Sequence, residues 1–389
     1  MKQKSININS NNNNSEKGKK KAKITINNNN KKNNINKGQS KIHTKAQKNI
    51  SHVNKRITLK LIKQMKVLPI SIAGIYFLKN GNFLVLGRKE FDKLFEYMGD
   101  SGIIKYKIFD NKLQMIKKSK KDLNISIRNI KVIDENNIIC LLDTEELINL
   151  NIQNGIITKL FHFQETIYNL LYYKNKLITC NHELREGIKI WEQTKSFLSA
   201  TNHHHYQLMN KLFYPKIYGD ENITYTTMYL MEDKNLLITS NDEESVCFWN
   251  LKKLKFDHIF NLDWCPYIFS NFKNNLAIFG SGIYKGYRTP NKLVLYDVKE
   301  KNISKNIKLD FIMLDVRYIK KIDLIVISGG TDILRNDIFV YDSNLNKVQF
   351  IRKAHCGDIN GFAFYEKDEK EDLLMSYSLD GSVNFYSLI

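Results

Sequence analysis

The chain has 389 residues, 42% of them apolar and 26% charged, with a formal net charge of +20. No run approaches the roughly 18 consecutive apolar residues that a membrane-spanning helix needs, which argues against a membrane protein. The charge is unevenly held: residues 1–66 carry 18 of the 60 Lys and Arg but only Glu16 among the 40 acids, so they contribute +17 and the remainder +3.

The five cysteines, Cys140, Cys180, Cys247, Cys265 and Cys356, are odd in number, widely spread and never paired as Cys-x-x-Cys. That spacing points away from a disulfide framework or a zinc site and predicts reduced, buried thiols. Met1–Ser10 is polar, with no apolar leader. The expectation is an intracellular chain, nuclear or cytoplasmic, without a membrane partner.

Residues 1–55 are dominated by Asn and Lys, with Asn11–Asn14 and Asn27–Asn30 as pure runs and no aromatic residue. Such a segment buries too little apolar surface to offset its chain entropy and is predicted to be a disordered tail. Drift toward Asn, Lys and Ile codons is enough to produce this composition. Within it, Lys19, Lys20, Lys21 and Lys23 resemble a short nuclear import signal, and basic runs also bind nucleic acid. Residues 56–67 then set Ile57, Leu59 and Leu61 against Thr58 and Lys60, the alternation of an exposed outer strand.

Beyond residue 67, seven seams recur in which an apolar run ends in an aromatic or apolar residue followed by a small polar or acidic one. They fall at Phe109-Asp110, Leu150-Asn151, Trp191-Glu192, Trp249-Asn250, Tyr296-Asp297, Tyr341-Asp342 and Tyr386-Ser387, in steps of 41, 41, 58, 47, 45 and 45 residues. The apolar runs are four to eight residues long and bounded by Gly, Asn and Asp, which reads as strands. The period is that of one four-stranded blade, so the fold class is all-β, a seven-bladed β-propeller.

The last repeat carries a family resemblance. Ala354-His355-Cys356-Gly357-Asp358 leads into Ile359–Phe364, and Leu373–Ser378 is followed by Leu379-Asp380-Gly381 and Ser382–Ser387. This resembles a WD repeat from its Gly-His start to its Trp-Asp end, with the first Gly, the Trp and the final Asp replaced. The repeat at 236–250 aligns over the same length, with Glu243 at the turn-acid position and Trp249 at the Trp position; Trp191 fills that position one repeat earlier. The resemblance implies structural roles for Trp191, Trp249, His355 before strand a, and Asp380 in the b–c turn, the last two joined by a hydrogen bond. It also implies that b–c turns lie on one rim and d–a loops at the opposite end. The seventh repeat stops after strand c, so residues 56–67 are expected to supply its outer strand, making 56–389 one propeller.

Whatever breaks the period is a candidate for function. The 58-residue step places extra residues in 193–223, a stretch holding His203, His204, His205, Tyr206, Phe213 and Tyr214. Long loops on a rigid scaffold commonly carry binding. Three adjacent histidines rarely converge on one ion, and no Cys or acid at ligand spacing accompanies them, so no metal or cofactor is expected. A second excursion, Gly282–Asn291, holds Tyr284, Tyr287 and Arg288, types that often dominate interfaces; a shorter one, Gly330–Asn336, holds Arg335.

No phosphate loop, nucleophile elbow or metalloprotease motif is present, so no enzyme is predicted. The expected function is a protein-interaction scaffold, a monomeric propeller within a larger hetero-complex, in a nuclear setting such as ribosome biogenesis or RNA processing. A substrate adaptor of a cullin-type ubiquitin ligase is the alternative. The Arg that such adaptors often carry two residues past the Trp-Asp pair is Thr194, Lys252, Lys299 or Asn344 here. RNA binding through the basic tail is the third reading.

Overall fold

The computed structural model describes residues 58–388 apart from short stretches, the longest being 89–102, 119–126, 196–203 and 215–223. The tail with Lys19, Lys20, Lys21 and Lys23 lies outside the described residues, as does Ile57. Among the described residues are seven four-stranded antiparallel sheets and one two-stranded hairpin. Each of the first six sheets is a meander of consecutive strands a to d, interrupted in the fifth by the hairpin between b and c. The fourth, for instance, runs Tyr225–Met231, Leu236–Asn241, Ser245–Asn250 and Lys255–Asn261. The b and c strands read as continuous apolar runs because both their faces are buried.

The seventh sheet is assembled from both ends of the described chain. Strands Ile359–Lys367, Glu371–Ser378 and Ser382–Leu388 are joined at their outer edge by Leu59–Lys66. Leu59 pairs with Leu388 and Lys66 with Ser382. Gln349, from the outer strand of the sixth sheet, clamps Leu59 by accepting its N–H and donating to its carbonyl, both at 2.8 Å. The alternation expected along this strand is broken at Leu61, which is 49% exposed, because a bulge between Leu61 and Lys63 resets the register.

Such an irregularity recurs in the c–d pairing of every one of the seven sheets. Bulges twist an outer strand and spoil it as a template for further pairing. In the first sheet the register moves the seam: Asn82 pairs with Lys107 and Phe83 with Tyr106, as Leu236 and Leu237 pair with Asn250 and Trp249 in the fourth. The residue equivalent to Trp249 is therefore Tyr106 rather than Phe109. The end of the apolar run misplaces the seam because strand c there runs on to Phe109, three residues past Tyr106.

Seven apolar clusters fill the spaces between successive sheets. One joins Ile190 and Leu212 of the third sheet to Leu237 and Trp249 of the fourth. Another joins Met375 and Val383 of the seventh to Ile72 and Phe83 of the first, which closes the ring. The a strands bring their unpaired inner edges together, and neighbouring sheets satisfy them with side chains. Asp315 accepts the Phe362 N–H at 3.0 Å, Tyr229 accepts the Asn271 N–H at 2.9 Å, and Asn360 donates to the Ile72 carbonyl at 2.6 Å. Burial pushes the Asp315 carboxyl upward against the pull of Arg317, so this is a costly group kept for its hydrogen bonds.

Four cysteines are buried as expected from composition, but Cys356 is exposed, because it sits in the loop that enters the seventh sheet.

Candidate interaction face

In a four-stranded meander, the b–c turn and the connection from d to the next a fall at the same end. The structure accordingly overturns the expectation that they face opposite ways: Asp380, in the b–c turn of the seventh sheet, accepts the Cys356 N–H of the entering loop at 2.8 Å. Arg335, in the b–c turn of the sixth, binds Asp358 through both its backbone N–H and its guanidinium, each at 2.7 Å. In the fourth sheet the equivalent tie is made by Asp242, which accepts the Thr224 N–H and hydroxyl at 2.8 and 2.7 Å. Glu243, the residue aligned with Asp380, lies outside the described residues.

His355 and Asp380 are not joined by the hydrogen bond that the resemblance implied. They stand 3.8 Å apart, and buried His355 instead shares hydrogen bonds with Ser382 at 2.8 Å and Ser376 at 2.7 Å. Asp380 turns its oxygens to the Cys356, Gly357 and Ser382 N–H groups, and these use the capacity a His bond would need. Burial drives the His355 imidazole down to about 4, with Asp380 only partly opposing it, so the ring is neutral.

Ser376 has counterparts. Thr239 in the fourth sheet accepts the Trp249 Nε1–H at 2.9 Å, and Thr179 in the third accepts the Trp191 Nε1–H at 2.8 Å. The Tyr214 hydroxyl also reaches Thr239, at 2.5 Å, while its ring stands edge-on to Trp249 with centroids 4.9 Å apart. Tyr214 thus does in the fourth sheet what His355 does in the seventh: it enters from the preceding connection and seals the b-strand hydroxyl.

Two candidate contact residues therefore fall away. Tyr214 is packed against the core cluster between the third and fourth sheets. Tyr206 is 4% exposed, inside the cluster between the second and third, with its hydroxyl pushed by burial to about 12. The physical reason is that residues 204–212 are not loop but the d strand of the third sheet, His204–Leu212. His204 and His205 pair there with Lys195 and Thr194, and His203 lies outside the described residues. The extra length of the 58-residue step is divided between 196–203 and the connection after Leu212. Among the described residues, no three metal-ligating side chains cluster.

Phe213 remains, 59% exposed at the start of that connection. Residues Tyr284, Tyr287 and Arg288 form the two-stranded hairpin, with Ile283 paired to Arg288 and Tyr284 to Tyr287, in the b–c connection of the fifth sheet. Both features stand at the same end as Tyr168, Leu334 and Leu379, which are 45%, 50% and 36% exposed in a d–a connection and two b–c turns. Leu334 and Leu379 flank Asp358, whose carboxylate takes the Arg335 N–H and whose carbonyl takes the Leu379 N–H. In the turns of the opposite end, the one such exposed residue among those described is Ile156. Sequence spacing found Phe213 and the hairpin; it had no means to find Tyr168, Leu334 and Leu379, which sit in turns of ordinary length.

The two ends also differ in charge. The b–c and d–a connections of the second to fifth sheets hold Asp143, Glu145, Glu165, Glu186, Glu244 and Asp263. Opposite them, the c–d turn of the fourth sheet reads Leu251-Lys252-Lys253-Leu254. The a–b turn of the sixth opens Lys320-Lys321, and Lys299 and Lys301 bracket Glu300 in the fifth.

No protein-family model and no curated protein sequence matches the chain. Solved structures do resemble it, among them a chain from a crystal structure of the mitotic checkpoint complex, 11% identical, with a TM-score of 0.61 over 91% of this chain and 99% of that one. A likeness at that identity speaks to architecture, and with the sheet order it establishes an all-β propeller.

Proposed function

We propose that the chain is a non-enzymatic protein-interaction scaffold, a divergent seven-bladed WD-repeat-like propeller that serves as a subunit of a multiprotein complex. The observation that carries this reading is the concentration of Tyr168, Phe213, Leu334 and Leu379 at one end, beside the inserted hairpin. The residues that tempt a catalytic reading, His355 and Asp380, are consumed in holding turns. Membership of a complex is also what the structurally similar checkpoint chain is known for by description, and the analogy lends support at the level of fold.

The test is affinity purification of the tagged full chain beside a variant carrying Tyr168→Ala, Phe213→Ala, Leu334→Ser and Leu379→Ser. The expected result is a set of stoichiometric subunits that the variant loses while its melting temperature is kept. A monomer in both preparations overturns the reading. Subunits of ribosome assembly or RNA processing place it in the nuclear setting that Lys19, Lys20, Lys21 and Lys23 suggest. Cullin and adaptor subunits would instead make it a ubiquitin-ligase adaptor.

A further inference from the structure

The lysine-bearing end holds a groove that the face described above does not account for. It opens between the third and fourth blades, with a volume of about 310 Å³, and its floor is Tyr173, Ile178, Ile190, Leu251 and Leu254. Its remaining lining residues are Lys174, Lys176, Lys252 and Asn235, with no carboxylate among them. Lys176 is held by Glu192 at 2.6 Å, whereas Lys174 rests on the Asn235 side-chain oxygen at 2.7 Å. Lys252 is exposed in its turn, with Lys253 beside it.

An apolar floor of this size accepts a bulky side chain, and amino groups at the rim favour negative charge on either side of it. The floor disfavours a polyanion such as RNA, whose phosphates would gain nothing from Ile178, Ile190 and Leu251. Charge complementarity extends past the groove: the neighbouring turns of the fourth to sixth blades present Lys253, Lys299, Lys301, Lys320 and Lys321 on the same end, and the acids among them, Glu232, Asp233, Glu300 and Asp323, stand beside Lys131, Lys234, Lys299 and Lys273 at 3.9, 3.9, 3.6 and 3.1 Å. We propose that this groove is a docking site for a short acidic peptide segment of a partner protein, anchored by one large apolar residue with Asp or Glu next to it. The proposal deepens the scaffold reading by giving the propeller a second contact, on the end opposite its apolar face.

The full chain is titrated with a fluorescein-labelled peptide bearing a central Phe between pairs of Asp, and with the same peptide carrying photoreactive benzoyl-phenylalanine in place of Phe. Saturable binding is expected, with cross-links mapping to residues 173–178 and 251–254. Affinity should fall about tenfold or more, roughly 1.4 kcal/mol, in Lys174→Glu/Lys252→Glu and survive in Lys174→Arg/Lys252→Arg. A peptide with Asn for Asp should lose a similar factor. The basic tail attracts any acidic peptide, but equally in every variant, so only the cross-link position and the variant difference count. Binding absent at about 1 mM, binding unchanged in the Glu variant, cross-links confined to the tail, or displacement from the groove by an RNA oligonucleotide would each overturn the proposal. Loss of subunits in the purification above does not depend on this groove, so the two readings fail separately.

Discussion

The fourth and seventh blades solve one packing problem in two ways. Each must seal a b-strand hydroxyl under the connection that enters from the previous blade. The fourth does so with Tyr214, Thr239 and Trp249, and its Trp is fully buried. The seventh uses His355, Ser376 and the more distant Tyr386 hydroxyl, 3.4 Å from Ser376, and takes its outer strand from residues 59–66. The fourth blade is thus built from four consecutive strands, and its seal holds no histidine. The seventh reaches across the chain for its outer strand and sets a buried imidazole in its seal, so it should depend on the chain ends as the fourth does not, and its seal should weaken in acid.

The largest expected difference comes from truncation. Removing residues 56–66 strips the seventh blade of its outer strand, the buried Leu59 and the Gln349 clamp, and should cost more than about 5 kcal/mol, a loss at the exceptional end for small sequence changes. Removing residues 1–50 should leave the melting temperature unchanged. Equal melting temperatures for the two truncations would dissolve the comparison.

Next comes acidification. The unfolded imidazole titrates near 6.5 and His355 in the fold near 4, so between these values the unfolded chain binds a proton that the folded one refuses. The contribution is complete above pH 6.5 and is lost as pH falls to 4; at ~1.4 kcal/mol per pH unit this is on the order of 3 kcal/mol. Burial pushes Asp380 up, but its bonds from Ser382 and Cys356 hold it below the usual carboxylate range, so it adds to the loss only at still lower pH. Denaturant titrations at pH 7 and 4.5 should show this drop in the parent and a smaller one in His355→Gln. An equal drop in both would assign the effect elsewhere.

Within the hydroxyl seals, Trp249→Phe removes a buried donor and leaves a void, and about 2 kcal/mol should be lost by urea unfolding. Tyr386→Phe, whose hydroxyl contacts are long, should lose less than about 1 kcal/mol. Costs in the reverse order would mean that the seventh seal, not the fourth, is the tighter. Tyr214→Phe falls between the two, at about 1 kcal/mol, since the ring contact with Trp249 survives.

The propeller was legible in the chain because b and c strands, buried on both faces, write unbroken apolar runs such as Leu236–Ser240 and Val246–Trp249. The a strands were less so. Asn129, Asp315 and Asn360 interrupt them, since those side chains serve inner edges of neighbouring blades rather than an apolar face, and Arg317 stands beside Asp315 on the same strand. The interaction face was legible only where it lengthened the chain. Tyr206 reads as a loop aromatic because an outer strand with a bulge, here between Ile190 and Trp191, has no clean alternation to betray it. Tyr214 could have been found by asking what takes the place of His355 at the mouth of the fourth blade. Exposure of Leu334 and Leu379 follows from how Asp358 holds their turns, a tertiary fact with no signature in local sequence.

The pairing of Leu59 with Leu388 has a consequence in time. Its two halves lie about 330 residues apart, so at roughly 5–20 residues per second of synthesis the first strand made waits on the order of 15 to 65 seconds for its partner. During that interval the six meander blades can each form as they emerge, but the ring cannot shut. Residues 59–66 meanwhile form a waiting strand with Leu61 and Ile62 uncovered, and four of the eight are lysine or glutamine. Those charged and polar side chains keep an early strand from finding the wrong neighbour before the last one is born.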